Sequence, residues 1–174
     1  PKPGELPGSA VSGYNAGMKI FPRIFLKAGE EREQTGADNE IWSFGEEAYA
    51  ILRRYVGIRE KLRAYTRALM HEAHTTGAPV IRALFYEFPA DSRAWEARES
   101  YLYGSDLLVA PVCYEHAVSR SVYLPAGADW LELATGKTLA GGADYTVDAP
   151  LGSIPVFQRI GGKYAALLPA GLME

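Results

Sequence analysis

Two hydrophobic periods meet near residue 100 of this chain, and that change constrains the fold more than any other feature. Before it, Ala48, Leu52, Tyr55, Leu62, Tyr65 and Leu69 recur at helical spacing, with Ile51 and Ile58 widening the stripe. From Leu107 the apolar runs shorten to LLVAPV, SVYLP, WLEL, YTVDA, IPVFQRI and KYAALL, separated by Pro, Gly and Asp turns. Runs at intervals of about 8–12 residues signal a β-sandwich or barrel. The chain is therefore expected to join a mixed α/β piece to an all-β module.

Local signals fill in the first piece. Ser43 and Glu46 have capping-box spacing, which starts a helix over about 44–76, with Glu46 and Glu47 complementing its dipole. Gly77 suits the left-handed position that ends it, and Pro79 forbids continuation. Gly57 inside it costs about 1 kcal/mol relative to alanine and marks a kink or a close contact. Residues 79–88, PVIRALFYEF, read as a strand, and a helical turn is expected over 91–98. Upstream, 28–40 is a polar loop and 21–27, FPRIFLK, a brief strand. Residues 1–20, with three prolines, four glycines and two serines, read as a flexible leader.

Composition removes several function classes. At 174 residues the chain is too short for a complete (β/α)₈ barrel, which needs about 250. A net charge of −3 argues against nucleic acid, and the arginines of the long helix read as a solvated face. No apolar run approaches about 18 residues, so no membrane partner is expected. The start, Pro1-Lys2-Pro3-Gly4, lacks the pattern of a secretory signal, which favours the cytoplasm. The single cysteine, Cys113, excludes a disulfide framework and reads as a small buried hydrophobe. His71-Glu72-Ala73-His74 has its histidines at i, i+3, one short of zincin spacing. No phosphate-binding glycine loop occurs, and no cofactor is expected.

The second piece carries a more specific pattern. RSVYLPAGADWLELATGKTLAGGADYTVDAPLGSIPVFQRIGG aligns Val122, Leu124-Pro125, Gly127, Trp130, Thr135-Gly136, Gly141-Gly142, Pro150-Leu151, Ile154-Pro155-Val156-Phe157, Arg159 and Gly161 in order. This resembles the proximal C-terminal β-sandwich of glycoside hydrolase family 31, the α-glucosidase and α-xylosidase family. Upstream, GAPVIRALFYEFPAD resembles the last strand of that family's catalytic barrel, with Ala83 where the family has proline. YLYGSDLLVAPV resembles the link from barrel to sandwich, and residues 39–73 resemble the helix before the last strand.

The resemblance implies an α+β fragment: the last helix and strand of a (β/α)₈ barrel followed by an all-β sandwich. Residues 1–20 would be the leader, 21–100 the end of the barrel and 101–174 the sandwich. It implies the C-terminal portion of a retaining α-glycosidase whose parent hydrolyses α-glucosides or α-xylosides. No catalytic residue is implied here, because both family aspartates lie in motifs upstream of the matched region. Asp38-Asn39-Glu40 stands in a polar loop and does not replace them, and Leu26 and Ala28 stand where the family has a sugar-binding Arg-x-His. Three residues are expected to line the sugar pocket: Trp42 beside the seventh-strand loop, Phe25 on which that loop aligns, and Glu87 beyond the last strand. The partners implied are an α-linked oligosaccharide or glycoside, bound through the parent, and the remainder of the barrel. Failing that barrel, the stripe of Leu52, Tyr55, Leu62, Tyr65 and Leu69 is expected to be covered by self-association. Trp130 is expected to pack between sheets. The alternative is a free-standing, non-catalytic β-sandwich for carbohydrate binding or protein interaction.

Overall fold

The computed structural model describes residues 41–173. The expected leader, the run 21–27 with Phe25, Leu26, and the loop 28–40 with Ala28 and Asp38 lie outside the described residues. Two units are distinguished, residues 41–53 with 113–115, and residues 54–112 with 116 onward. The first contains a 3-10 turn, Ile41–Phe44, and the opening of helix α1, Glu46–Lys61.

The long helix departs from expectation at its start and its middle. Ser43 and Phe44 belong to the 3-10 turn, so α1 begins at Glu46, and the Tyr49 N–H donates to the Gly45 carbonyl at 2.9 Å. α1 gives way at Leu62 to α2, Arg63–Thr76. The break is one residue wide, since the Leu62 N–H donates to Ile58 and its carbonyl accepts from the Thr66 N–H at 2.8 Å. Gly57 is not the break, and a Cβ there would meet nothing within 4 Å. α2 ends as read: Gly77, at φ 77°, donates to the Ala73 carbonyl at 3.0 Å.

The run 79–88 is not one strand. β1 is Ile81–Arg82 alone, and a short helix α3, Leu84–Glu87, follows. Leu84 and Phe88, four residues apart, are buried, whereas Phe85 and Tyr86 are exposed. Extended chain would turn Tyr86 inward along with Leu84 and Phe88, whereas a helical turn leaves both Phe85 and Tyr86 outside. The turn expected over 91–98 is a 3-10 helix, Ser92–Trp95, capped by the Asp91 side chain accepting from the Arg93 N–H at 3.0 Å.

The remaining strands are β2 Tyr101–Tyr103, β3 Leu107–Val109, β4 Ser119–Leu124, β5 Asp129–Glu132, β6 Thr138–Ala140, β7 Ala143–Asp148 and β8 Val156–Arg159. KYAALL, read as a strand, is instead a 3-10 turn, Ala165–Leu167. The Tyr164 N–H is taken by the Asp106 carboxylate at 2.6 Å, which turns the chain out of a ladder.

All pairings are antiparallel, in a six-stranded sheet ordered β1-β2-β3-β8-β5-β6 and a two-stranded sheet of β4 and β7. The pleat sends alternate residues of β3 and β8 to opposite faces. Leu108 and Phe157, which are register partners, join Leu102, Val122, Leu124, Trp130 and Val147 in a core between the sheets. Trp130 is fully buried there, and its indole N–H donates to the Pro125 carbonyl at 3.2 Å. Leu107 and Val156 face the other way, into a second core with Ile58, Tyr65, Leu69, Leu172 and Met173. Covering both faces explains why LLVAPV shows no polar alternation.

This second core corrects the expectation of a bare helical stripe. Tyr65 and Leu69 are fully buried, and Tyr55 and Leu62 pack at the margin of the same cluster. The sheet and the chain beyond it supply the cover for Tyr55, Leu62, Tyr65 and Leu69, while Leu52 is half-buried and belongs to neither core. Gly104 makes the approach possible: a Cβ there would collide with the Tyr65 hydroxyl and stand 2.5 Å from Leu69 Cδ2.

Candidate functional site

Arg82 is the one charge in the apolar run APVIRALFYEF before Glu87, and the β1 pleat turns Ile81 out and Arg82 in. Only 4% of Arg82 is exposed, so its charge must be matched locally. Nε donates to the Pro79 carbonyl at 2.6 Å, Nη2 to Glu72 Oε2 at 2.6 Å, and Nη1 to Glu87 Oε1. Glu72 comes from α2, and its other oxygen accepts from Lys163 Nζ at 2.6 Å. Two acids and two bases thus form a closed hub at the end of β1.

The electrostatics follow from those contacts. The Lys163 hydrogen bond, helped by Arg82, holds the Glu72 carboxyl below its ordinary range against the effect of burial. Burial works against the Arg82 charge, but the hydrogen bonds to Glu72 and Glu87 outweigh it and raise its pKa. Glu72 therefore stays ionised at neutral pH and cannot serve as a general acid there. The hub holds a loop in place and is not built to move protons.

That loop carries aromatic side chains. Phe85 and Trp95 are stacked, with centroids 4.5 Å apart and planes 13° from parallel, and both are exposed. The Trp95 indole N–H is tied to the Pro89 carbonyl at 3.1 Å. The Arg82 guanidinium lies 5.5 Å from the exposed Tyr86 ring. Asp91 pins the loop to the sandwich, accepting from the Tyr123 hydroxyl at 2.6 Å and the Ala126 N–H at 2.8 Å. Burial pushes the Asp91 carboxyl up, but these bonds and those from the Arg93 and Ala94 N–H groups prevail and lower it. The Tyr123 hydroxyl is pushed up to about 12, by burial first and by Asp91 second.

Of the three residues expected at a sugar pocket, Glu87 lies in the hub, half-buried and paired with Arg82. Trp42 belongs to the first unit and is 69% exposed, while Phe25 lies outside the described residues. Arg82, Glu72 and Lys163 were not expected at a site. The signal for Arg82 was present, since a lone arginine in an apolar run needs buried partners, but nothing in the spacing named Lys163, which lies 91 positions from its partner Glu72. Cys113 is exposed, not buried as expected, because it lies beyond β3 where the chain has left the sheet. His71 and His74 are exposed, and among the described residues no cluster of three metal-ligating side chains forms. No described helix is long and apolar enough to cross a membrane.

Comparison with known proteins finds that residues 77–162 match the Glycosyl hydrolase family 31 C-terminal domain. A probable glucan 1,3-alpha-glucosidase of Arabidopsis thaliana is 41% identical over 122 residues, 70% of this chain and 13% of that protein. An alpha-xylosidase of Saccharolobus solfataricus is 32% identical over 130 residues, 75% of this chain and 17% of that protein. Among solved structures, a family 31 alpha-xylosidase from a soil metagenome, complexed with xylose, superposes with a TM-score of 0.74 at 45% identity. The match covers 83% of this chain and 21% of that one. A Flavobacterium johnsoniae dextranase complexed with glucose gives a TM-score of 0.70 at 40% identity, over 73% of this chain and 16% of that one. The chain thus spans a fifth or less of the length of the curated relatives it matches.

Proposed function

The chain belongs to glycosyl hydrolase family 31, through the C-terminal domain that its residues 77–162 carry, and we propose that it is the C-terminal portion of a retaining α-glycosidase acting on α-glucosides or α-xylosides. In this reading residues 21–100 are the last helix and strand of the catalytic barrel, and residues 101–174 are the sandwich that braces it. The parent's reaction needs two carboxylates about 5–5.5 Å apart across the glycosidic bond, one as nucleophile and one as acid/base. Both are supplied from outside this chain, and no cofactor takes part. From the family resemblance, Trp42, Phe25 and Glu87 are each assigned to the parent's sugar pocket, Glu87 being held by Arg82.

The observation that carries the reading is the similarity to the xylose-bound alpha-xylosidase, 45% identical over 83% of this chain. The test is enzymatic. The purified 174-residue chain should leave aryl α-glucosides and α-xylosides uncleaved, and the same chain extended upstream in its reading frame should cleave one of them. Turnover by the 174 residues that persists after Asp38→Ala would refute the assignment of catalysis to the parent.

One observation favours a second reading, a free-standing non-catalytic module. The second core, which covers Ile58, Tyr65 and Leu69 of the helices and Leu107 of the sheet, closes with residues of this chain, Leu172 and Met173 included. Calorimetric binding of an α-linked oligosaccharide to the 174 residues alone, without turnover, would support this module in place of the fragment.

A further inference from the structure

The hub links two distant parts of the chain through single side chains. Glu72 divides its carboxylate, Oε1 to Lys163 and Oε2 to Arg82, while Arg82 spends its three faces on Pro79, Glu72 and Glu87. A buried guanidinium cannot fall back on water, so its place follows that of its partners. Lys163 is anchored at its end of the line. It lies 4.9 Å from the Tyr164 ring, and the Tyr164 N–H is held by Asp106, a fully buried carboxylate that also accepts from the Ser105 hydroxyl at 2.5 Å. At the other end Glu87 closes α3. The next residue, Phe88, donates to the Leu84 carbonyl at 3.0 Å and packs 5.8 Å from the Trp130 ring.

We propose that Lys163, Glu72 and Arg82 are positioning residues for the loop of residues 83–95, so that the segment leaving β8 sets where Glu87 and the Phe85–Trp95 pair stand. Mechanically the loop is moored to the sandwich by Asp91 and by the Arg93–Asp144 pair, and to the hub by Glu87, with Phe85 and Trp95 flanking these ties. Loss of Lys163 leaves Glu72 to bear on Arg82 alone, which draws the guanidinium toward α2 and slackens its hold on Glu87. The alternative is that Lys163, whose side chain is 58% exposed, makes an isolated surface pair of little consequence.

The two differ in coupling, and a double-mutant cycle on the whole 174-residue chain separates them. Lys163→Met, Glu87→Gln and their combination are compared by the exchange rate of the Trp95 indole proton, assigned by NMR with Trp95→Phe. Each single variant should speed that exchange about 3–10-fold, and the double variant should exceed neither by more than about twofold. Lys163→Arg should restore the original rate, which a packing role for the lysine stem would not require. An unchanged Trp95 rate in Lys163→Met, or single effects that multiply in the double variant, would overturn the proposal. Neither sugar nor turnover enters the measurement, so its outcome is independent of the α-glycosidase reading.

Discussion

Replacing Gly104 by alanine probes the contact on which α2 and the six-stranded sheet depend. Gly104 has φ 67°, where a residue with a β-carbon loses about 1–2 kcal/mol. The added carbon would also stand 2.5 Å and 2.8 Å from the two Leu69 methyl carbons and inside contact distance of the Tyr65 hydroxyl. Neither neighbour can step aside into solvent. Both are fully buried, and the Tyr65 hydroxyl donates to the Tyr103 carbonyl at 2.6 Å while accepting from the Asp106 N–H at 3.3 Å. Overpacking of this kind costs about 1–3 kcal/mol, so the two effects sum to about 2–5 kcal/mol. For a chain of this length, that lowers the melting temperature by roughly 4–20 °C. Urea titration followed by circular dichroism measures the loss directly. Gly57→Ala is the matched control: the same atom enters open space in a helix interior, and about 1 kcal/mol of stability should be gained. A Gly104→Ala chain within about 0.5 kcal/mol of the original would mean that Tyr65 and Leu69 do not seat on the turn after β2.

Asp91→Asn removes the charge from a carboxylate that three or more donors stabilise, and about 1–3 kcal/mol should be lost at neutral pH. Because the folded pKa lies below the unfolded one, the Asp91 contribution is complete above the ordinary carboxylate range and fades as pH falls through the depressed value. Below about pH 4 the melting temperature should therefore fall less steeply with falling pH for Asp91→Asn than for the original chain. Trp130→Ala should cost about 3–5 kcal/mol in chemical denaturation, since it opens the core between the sheets and strands the Pro125 carbonyl.

Much of the β module was legible from period and punctuation. β4, β5 and β7 overlap the runs SVYLP, WLEL and YTVDA, β8 falls within IPVFQRI, and the stop at Gly77 and the turn at Asp91 follow from residue chemistry. β2 and β6, at three residues each, are too short for alternation to show. The run 79–88 misled for a physical reason: ten apolar-rich residues fit a strand equally well, and the spacing of Leu84 and Phe88 puts them on one face of a strand and of a helix alike, so only the exposure of Tyr86 separates the two. The cover of the helical stripe was illegible because it comes from Leu107, Leu172 and Met173, which no local pattern connects to α2. The hub was half legible. Arg82 announced itself by its apolar surroundings, while Glu72 and Lys163 look in sequence like ordinary solvated charges.

The strand order has a consequence for how the chain is made. β8, the last of the described strands to leave the ribosome, lies between β3 and β5. Until Val156–Arg159 emerge, β1-β2-β3 and β5-β6 share no strand, and the inner margins of both half-sheets, at β3 and β5, carry unpaired amides and carbonyls. Nascent chains grow at about 5–20 residues per second, so synthesis of the stretch from Val109 to Val156 leaves those margins open for several seconds. Unpaired margins recruit strands from other molecules. A message truncated before residue 156 would therefore yield a sticky product and not merely a shorter one, and a folding helper would be needed most between the synthesis of Val109 and the emergence of Val156–Arg159.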